Sequence, residues 1–329
     1  MKIPRRQFLH LALGGAASSA ASRTTQAQAY PTRPIRLVVP FPPGGGFDAL
    51  ARLWADKIRP LLGTVFIDNV GGAGGSLGAA QVAHATPDGY TLLLGGALTH
   101  TNEALLKTHP LYNPDRDLDP IMCLAVGRLA IAVHPSVPAT TLKELVAYAK
   151  ANPGKLSYGH VGVGSNNHHA GELFKSLAGI PDVTPVPYRG AGPLTSDLIS
   201  GHVPIGIVGV TGQSLGLHRA GNIRIVAVTS PKPLIAAPEI PTMARAGFPG
   251  LTYEASLGLL APARTPKPII EQIAKASRAL LINPDYQKML IDIGFNATPE
   301  SNPEHFRRAL AADVALWAPV VTSLDLRID

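Results

Sequence analysis

The chain has 329 residues, 46% of them hydrophobic, with 29 lysines and arginines, 22 aspartates and glutamates, and one cysteine. This length suffices for a large buried core and is typical of two domains. The basic residues form no blocks, which argues against nucleic-acid binding, and the single Cys123 excludes an intramolecular disulfide.

Residues 1–29 have the features of a twin-arginine export signal. A basic start containing Arg5-Arg6 precedes about 13 apolar or small uncharged residues, too few to cross a bilayer. The small residues Ala27-Gln28-Ala29 form a cleavage site, so we expect a periplasmic, soluble protein cut after Ala29. An uncleaved N-terminal anchor is the alternative. The segment holds four of the 29 cations and no acid, so the mature chain carries a net charge of +3.

The mature chain begins with a strand, a glycine-rich turn and a helix. Residues 35–39 are an apolar run typical of a buried strand, and apolar residues recur at helical spacing over 49–58. Between them residues 41–48 read FPPGGGFD, and we call this segment loop 1. A tight turn needs one or two glycines, so three in succession favour close approach of a ligand over a simple turn.

The next elements alternate in the same way. We predict strands at 65–70 and 90–94, a helix at 77–85, and extended segments at 121–126 and 129–133. Thr99, His100 and Asn102 follow the strand at 90–94 and are expected to point toward the same cleft as loop 1.

A second glycine-rich turn follows further on. Residues 162–168 read GVGSNNH, after a predicted strand at 156–158 and before a predicted helix at 170–177. We call this segment loop 2. Its three short polar residues, Ser165, Asn166 and Asn167, exceed what one helix cap requires, which leaves some of them for a solute.

Strands predicted at 184–186, 203–208 and 223–228 alternate with helices, and the chain is mainly helical after residue 265. Such alternation predicts a parallel or mostly parallel sheet with helices on both faces. We expect an α/β protein of two lobes, one formed by 30–129 plus 256–329 and the other by 130–255.

Both glycine-rich turns join a strand to a helix start. The first amides of a helix lack partners within the helix, and the helix dipole adds a partial positive charge there. Such a place attracts anions, and ligands of open α/β sheets bind beyond the carboxyl ends of the strands. Two such turns therefore predict two lobes that close on a small anionic solute.

At several places the sequence resembles the periplasmic solute-binding proteins of tripartite tricarboxylate transporters, the Bug family. The resemblance covers essentially the whole mature chain. The matching segments are PTRPIRLVVPFPPGGGFD at 31–48, PDGYTLL at 87–93, HPSVP at 134–138, AGELF at 170–174, VPYRG at 186–190 and LLAPA at 259–263.

The resemblance implies a two-lobe periplasmic binding protein of type II, or Venus flytrap. It also implies capture of a small carboxylate, without catalysis or cofactor, for the membrane components of a transporter. In the family, loops 1 and 2 hold one carboxylate end, largely through backbone amides and water. The candidate ligand-binding residues are Phe41, Gly44, Gly45, Gly46, Phe47, Asp48, Thr99, His100, Gly164, Ser165, Asn166, Asn167, His168 and Arg189. We expect a monomer.

The sequence departs from the family at two places. Residues 204–210 are apolar and glycine-rich where relatives carry an acidic residue and an aromatic one, and Ser256 stands where an aromatic is common. The distal part of the pocket is therefore expected to be roomier and less polar, with space for an aromatic or branched acid.

Several candidate residues have a plainer interpretation. Asp48 suits an N-cap of the first helix better than a ligand contact, because a carboxylate repels an anion. Phe41 and Phe47 wall the pocket or belong to the core. His168 and His169 diverge by about 100° on a helix, so a metal site is disfavoured. Arg189 pairs with a second carboxylate or is an exposed strand-end cation.

Two other functions are compatible with parts of the sequence, and a third is disfavoured. Two segments, 74–78 and 212–216, fit the G-x-S-x-G pattern of serine hydrolases, with Ser214 better placed than Ser76. Neither glycine-rich loop completes the G-x-G-x-x-G pattern of dinucleotide-binding oxidoreductases. A receptor that senses its carboxylate for a signalling partner is a further alternative.

Overall fold

Two β-sheets organise the protein, whose computed structural model describes residues 30–323. The predicted export signal lies outside these residues. The strands are β1 (Ile35–Val39), β2 (Val65–Asn69), β3 (Thr91–Gly96), β4 (Leu118–Gly127), β5 (Leu129–Val133), β6 (Ser157–His160), β7 (Thr184–Pro187), β8 (Ile205–Gly209), β9 (Arg224–Val228), β10 (Ala255–Pro262) and β11 (Phe295–Ala297).

Helices flank both sheets. They are α1 (Gly46–Leu62), α2 (Ser76–Ala83), α3 (Ala97–Thr101), α4 (Pro114–Asp117), α5 (Leu142–Ala151), α6 (Asn166–Ala178), α7 (Ala191–Ser200), α8 (Gly212–Arg219), α9 (Lys267–Leu281), α10 (Pro284–Asp292) and α11 (Pro303–Ser323). A π-helical turn (Asn102–Leu106) continues α3.

Each sheet is the centre of one lobe. The six-stranded sheet has the order β11-β4-β10-β3-β1-β2, and the five-stranded sheet has the order β7-β6-β8-β5-β9. The chain therefore crosses between lobes after β4 and again before β10. The lobe limits expected from the sequence, at 129/130 and 255/256, stay a prediction.

The prediction of mostly parallel sheets is wrong. β10 runs antiparallel to both of its neighbours, β3 and β4, and β5 runs antiparallel to β8 and β9. Both strands adjoin a crossing, so each enters its sheet from the other lobe rather than through a helix of its own lobe. Hydrophobic periodicity carries no information on this direction.

The strand directions bring both glycine-rich loops to the lobe crossing. β1, β3 and β4 run in one direction, so loop 1 follows β1 at the edge where β4 leaves for the second lobe. In the other sheet β6 and β8 run opposite to β5, so loop 2 follows β6 at the edge where β5 enters. The sheets thus position each loop at the lobe-crossing edge of its own sheet.

The C-terminal helix α11 joins the cores of the two lobes. Phe306 and Leu310, near its start, pack with Val38 and Leu260 in the core of the six-stranded lobe. Trp317 and Val320, near its end, belong to a core of the five-stranded lobe. The helix therefore ties the lobes together independently of the strand crossings.

Candidate functional site

Loop 1 ends at an open helix N-terminus. Gly45 is the N-cap of α1, and no side chain caps it. Gly44 has a left-handed φ of 88°, which favours glycine, while a Cβ at Gly45 would meet only the carbonyl oxygen of Pro42, at 4.0 Å. No hydrogen bond of the described residues uses the amides of residues 46–48 at the start of this 17-residue helix, and such unpaired amides are the groups that bind anions at helix starts.

Asp48 shapes this loop from inside the helix. It lies in the first turn of α1, so the predicted N-cap role is wrong. Its Oδ2 accepts hydrogen bonds from the Gly44 amide and from Arg52 Nε, both at 2.9 Å, and its Oδ1 accepts one from Asn69 Nδ2 at 3.1 Å. Burial alone would raise the pKa of Asp48, but these hydrogen bonds outweigh it and hold the pKa below its usual value.

The two phenylalanines of loop 1 pack against each other. The ring centroids of Phe41 and Phe47 are 4.6 Å apart, and both side chains are half-buried. A Cβ at Gly75 would lie 3.0 Å from Phe41 Cζ, so the Phe41 ring covers a neighbouring glycine turn.

That neighbouring turn, residues 71–76 between β2 and α2, was missed in the sequence. Its Gly75 is an N-cap with φ of 99°, again with no side-chain cap. Asn102 Nδ2 donates to the carbonyl of Gly74 at 3.0 Å, and the buried Ser76 hydroxyl has no partner among the described residues. Glycines between a predicted strand and a predicted helix are the available signal, but the G-x-S-x-G pattern at 74–78 favours a hydrolase motif over a binding turn.

Thr99 and His100 are enclosed rather than exposed. The Thr99 hydroxyl donates to the carbonyl of Gly96 at 2.9 Å and accepts from its amide at 3.2 Å, which closes the first turn of α3. His100 is 3% exposed, and burial lowers its pKa to about 4. Neither side chain reaches the surface beside loop 1.

Loop 2 uses many of its polar groups internally. Ser165 is the N-cap of α6, and its hydroxyl accepts from the His168 amide at 3.2 Å and donates to the carbonyl of Gly162 at 2.7 Å. The Gly164 amide donates to His168 Nδ1 at 3.2 Å, and Asn167 Nδ2 donates to the carbonyl of Ile207 at 2.7 Å. The Oδ1 atom of Asn166 is buried without a partner in the described chain.

Three histidines surround loop 2. His160, at the end of β6, stacks on His168 with ring centroids 4.3 Å apart, and its Nδ1 lies 2.8 Å from the carbonyl oxygen of Gly162. His169 is fully buried, with its ring centroid 5.5 Å from that of Trp317. Burial lowers the pKa of all three, to about 4 for His168 and about 3 for His169. Within residues 30–323 no group of three His, Cys, Asp or Glu side chains could hold a metal ion.

Two further candidates lie elsewhere at the lobe-crossing edges. Arg189 is exposed after β7, immediately before Gly190, the uncapped N-cap of α7. Ser214 belongs to a capping box, in which its hydroxyl accepts from the Thr211 amide at 2.8 Å and its amide donates to Thr211 Oγ1 at 3.1 Å.

A cavity of about 490 Å³ also lies at the lobe crossing. Its walls come from both lobes and include Val210, Leu234 and Ile291, and the paired side chains of Arg128 and Glu254. None of the candidate binding residues lines it.

Comparison with known proteins identifies the family of this chain. Residues 50–326 match the family described as tripartite tricarboxylate transporter family receptor. The protein in the tcbD-tcbE intergenic region of Pseudomonas sp. strain P51 is 32% identical, over 98% of this chain and 95% of its own length. BugT of Bordetella pertussis is 32% identical over 93% of each chain.

Solved structures of similar sequence have the same fold. The periplasmic binding protein BugD superposes with a TM-score of 0.81 at 32% identity, over 91% of this chain and 99% of BugD. Rpa4515 of R. palustris with adipate has a TM-score of 0.82 at 33% identity (91% and 99% covered). MatC of Rhodopseudomonas palustris with bound malate has a TM-score of 0.80 at 30% identity (89% and 100% covered).

The protein is therefore a solute-binding protein with the two-lobe α/β fold of periplasmic binding proteins. More narrowly, it belongs to the receptor family of tripartite tricarboxylate transporters, as the resemblance in its sequence predicted. Among residues 30–323, no helix combines the length and apolar character that a membrane span requires.

Proposed function

We propose that this chain captures a small carboxylate for a tripartite tricarboxylate-type transporter, by closing its lobes over loops 1 and 2. The observation that carries the proposal is the uncapped N-terminus of α1 behind three consecutive glycines. Adipate and malate are bound by two similar proteins of known structure, which supports a carboxylate ligand of comparable size.

In this proposal the first amides of α1 hold one carboxylate, and loop 2 meets it from the second lobe. Closure excludes water, which strengthens hydrogen bonds to the ligand's charge. Asp48 acts indirectly, because its hydrogen bond to the Gly44 amide keeps the loop in the shape that leaves the following amides open. Closure then presents a combined surface of both lobes to the membrane components of the transporter.

The rest of the pocket decides which carboxylate binds. The apolar segment 204–210 contributes Ile205 and Ile207 to one core layer of the five-stranded lobe, and Val208 and Val210 to the other. The segment therefore supplies no charged group to the pocket, and a ligand with an apolar, aromatic or branched body belongs to the same proposal. Export by the twin-arginine signal, cleavage after Ala29, a monomeric state and contact with transporter membrane components belong to the same proposal.

The experiment is a calorimetric and thermal-shift screen of the mature chain, residues 30–329, against aliphatic diacids and triacids, acidic amino acids and aromatic acids. A ligand at about 100 times its Kd adds about 2.7 kcal/mol of stability, or several degrees in Tm. A shift confined to one class of acid identifies the ligand chemistry, whereas a response to no acid contradicts the proposal.

Gly45→Leu is the test of loop 1. The position has an ordinary φ of −87° and open space for a side chain, so the fold should persist while the side chain obstructs the amides of α1. We expect binding to weaken at least about 100-fold. Gly216→Leu is the control, because Gly216 is exposed in α8 and a Cβ there would meet no atom within 4 Å. Unchanged affinity in Gly45→Leu would remove loop 1 from the site.

A further inference from the structure

Two histidine rings, those of His160 and His168, stack on each other at loop 2. Their ring nitrogens are polar groups of a different kind from the backbone amides of the loop. The rings lie nearly parallel, with an interplanar angle of 18° and centroids 4.3 Å apart. His160 ends β6 and His168 lies in the first turn of α6, so the pair spans the base of loop 2.

The hydrogen bonds of the loop determine which nitrogen of each ring carries the proton. The Gly164 amide donates to His168 Nδ1, so this atom has a lone pair and the neutral ring carries its hydrogen on Nε2. His160 Nδ1 faces the carbonyl of Gly162, which can only accept, so His160 carries its hydrogen on Nδ1 and a lone pair on Nε2. Burial lowers the pKa of both rings, which keeps them neutral at pH 7.

The two Nε2 atoms are the unused groups of the pair. The His160 and His168 residues are 1% and 5% exposed, so only a small part of each ring is accessible. No hydrogen bond within residues 30–323 occupies either Nε2 atom, and neither is among the fully sealed polar atoms without a partner, unlike Nδ1 of His100. His169 differs, because both of its ring nitrogens are sealed. The charges nearest the pair are matched with each other, since Lys175 Nζ lies 3.0 Å from both carboxylate oxygens of Glu172, which also accepts from the Tyr158 hydroxyl.

We infer that His160 and His168 determine ligand specificity, with His168 Nε2–H donating to a carboxylate oxygen and His160 Nε2 accepting from a neighbouring hydroxyl or amide hydrogen of the ligand. The inference rests on the proposed function and narrows it. A carboxylate that carries such a hydrogen beside it satisfies both atoms, whereas a plain diacid leaves the His160 lone pair unmatched. Burying an unmatched acceptor weakens binding.

The test compares matched ligands by calorimetry at pH 7.5 on the mature chain: succinate with malate, and adipate with 2-hydroxyadipate. We expect the hydroxylated member to bind about 5-fold more tightly, as one added neutral hydrogen bond allows. In His160→Asn the side-chain amide still donates to the carbonyl of Gly162 but leaves nothing at the Nε2 position. This variant should weaken binding of the hydroxylated acid only, so the two acids of each pair should bind with about equal affinity.

Two more variants separate the roles of the histidines. His168→Asn retains an acceptor for the Gly164 amide and removes the Nε2 donor, so it should weaken both members of a pair about 10-fold. His160→Gln returns an amide group to the Nε2 position and should restore part of the preference for the hydroxylated acid. His202→Asn, at an exposed histidine of the same lobe, should change nothing.

The outcomes distinguish the two proposals. Binding of both members with a ratio that His160→Asn does not change overturns the specificity role and leaves carboxylate capture standing. Failure of every acid to bind overturns carboxylate capture and the specificity role with it. Each variant's Tm, within a few degrees of the unaltered chain, establishes that the comparison concerns folded protein.

Discussion

At the scale of single residues, buried polar groups without hydrogen-bond partners lower the stability of this fold. His169 is fully buried, and neither ring nitrogen has a hydrogen-bond partner within residues 30–323. Its burial lowers its pKa to about 3, so the ring stays neutral in the folded protein. A buried polar group without a partner costs about 1–3 kcal/mol.

We therefore expect His169→Leu to stabilise the protein. Leucine has a similar volume and loses no hydrogen bond, so the free energy of unfolding at pH 7 should rise by about 1 kcal/mol. Urea unfolding measures the change, with His202→Leu as the exposed control. A loss of stability would mean that an internal water satisfies the His169 ring.

Asp313, on α11, is a buried carboxyl, and burial shifts its pKa upward, in the opposite direction to the shift at His169. The side chain is 6% exposed, and its Oδ2 has no partner in the described part of the chain. Burial raises its pKa to about 8, and hydrogen bonds from Ser256 offset only part of that effect. The folded protein therefore keeps this carboxyl protonated at pH 7, whereas the unfolded chain ionises it.

Asp313→Asn should accordingly stabilise the protein at neutral pH. The raised pKa gives the aspartate a stability contribution that is complete below about pH 4 and is lost as the pH rises through 8. The amide removes this dependence, and we expect a gain on the order of 2 kcal/mol at pH 7 that vanishes near pH 4. Urea unfolding at the two pH values measures it. Asp56→Asn, at an exposed aspartate paired with Lys57, is the control, and an equal gain at both pH values would contradict the explanation.

At the scale of elements, helix starts divide into capped and open ones. Thr141, Asn283 and Asn302 cap α5, α10 and α11, and each accepts a backbone amide of its own helix. These caps are readable because a side chain and an amide two or three residues away suffice to form them. The open starts of α1 and α2 follow glycines instead.

The first turn of α1 depends on Asp48 for its shape. We expect Asp48→Ala to lower the free energy of unfolding by about 2 kcal/mol, because the Gly44 amide and Asn69 Nδ2 lose their acceptor. Carboxylate affinity should fall as well, since loop 1 is no longer held open. Chemical unfolding and calorimetry measure both effects. Asp56→Ala, on the same helix but exposed, should leave both nearly unchanged.

The sequence revealed loop 1 and loop 2 but not the third turn. All three lie between a strand and a helix, and residues 71–76 carry as strong a glycine signal as the other two. Their contact with the Phe41 ring depends on the pairing of β1 with β2, which brings residue 39 beside residue 69. That pairing is not encoded in local spacing.

At the scale of the whole molecule, buried histidines determine how stability responds to acid. His100, His168 and His169 have pKa values lowered by burial to about 4, 4 and 3, against about 6.5 in an unfolded chain. Between these values the unfolded chain binds more protons than the folded one, so stability is complete above pH 6.5 and is lost as the pH falls. Asp313 has the opposite effect, because the folded state keeps its carboxyl protonated where the unfolded chain has lost the proton. It therefore cancels about one of the protons that the unfolded chain gains at the histidines.

We expect the free energy of unfolding to fall by about 2–3 kcal/mol per pH unit between pH 6 and 5, since each histidine contributes up to about 1.4 kcal/mol per unit. Urea titrations at pH 7, 6 and 5 measure the slope. His169→Leu should reduce it by about one histidine's share. A slope near zero in the unaltered chain would mean that these rings are protonated when folded.

The sequence by itself determined the features that depend on neighbouring residues. Glycine turns, helix caps and the alternation of strands and helices follow from short-range sterics and hydrogen bonding, and the family's motifs identified the two-lobe class. Only the tertiary structure decided the direction of β5 and β10, the position of α11 across both cores, and the stacking of His160 on His168. These depend on groups far apart in the chain, whose burial and contacts exist only once the sheets have formed.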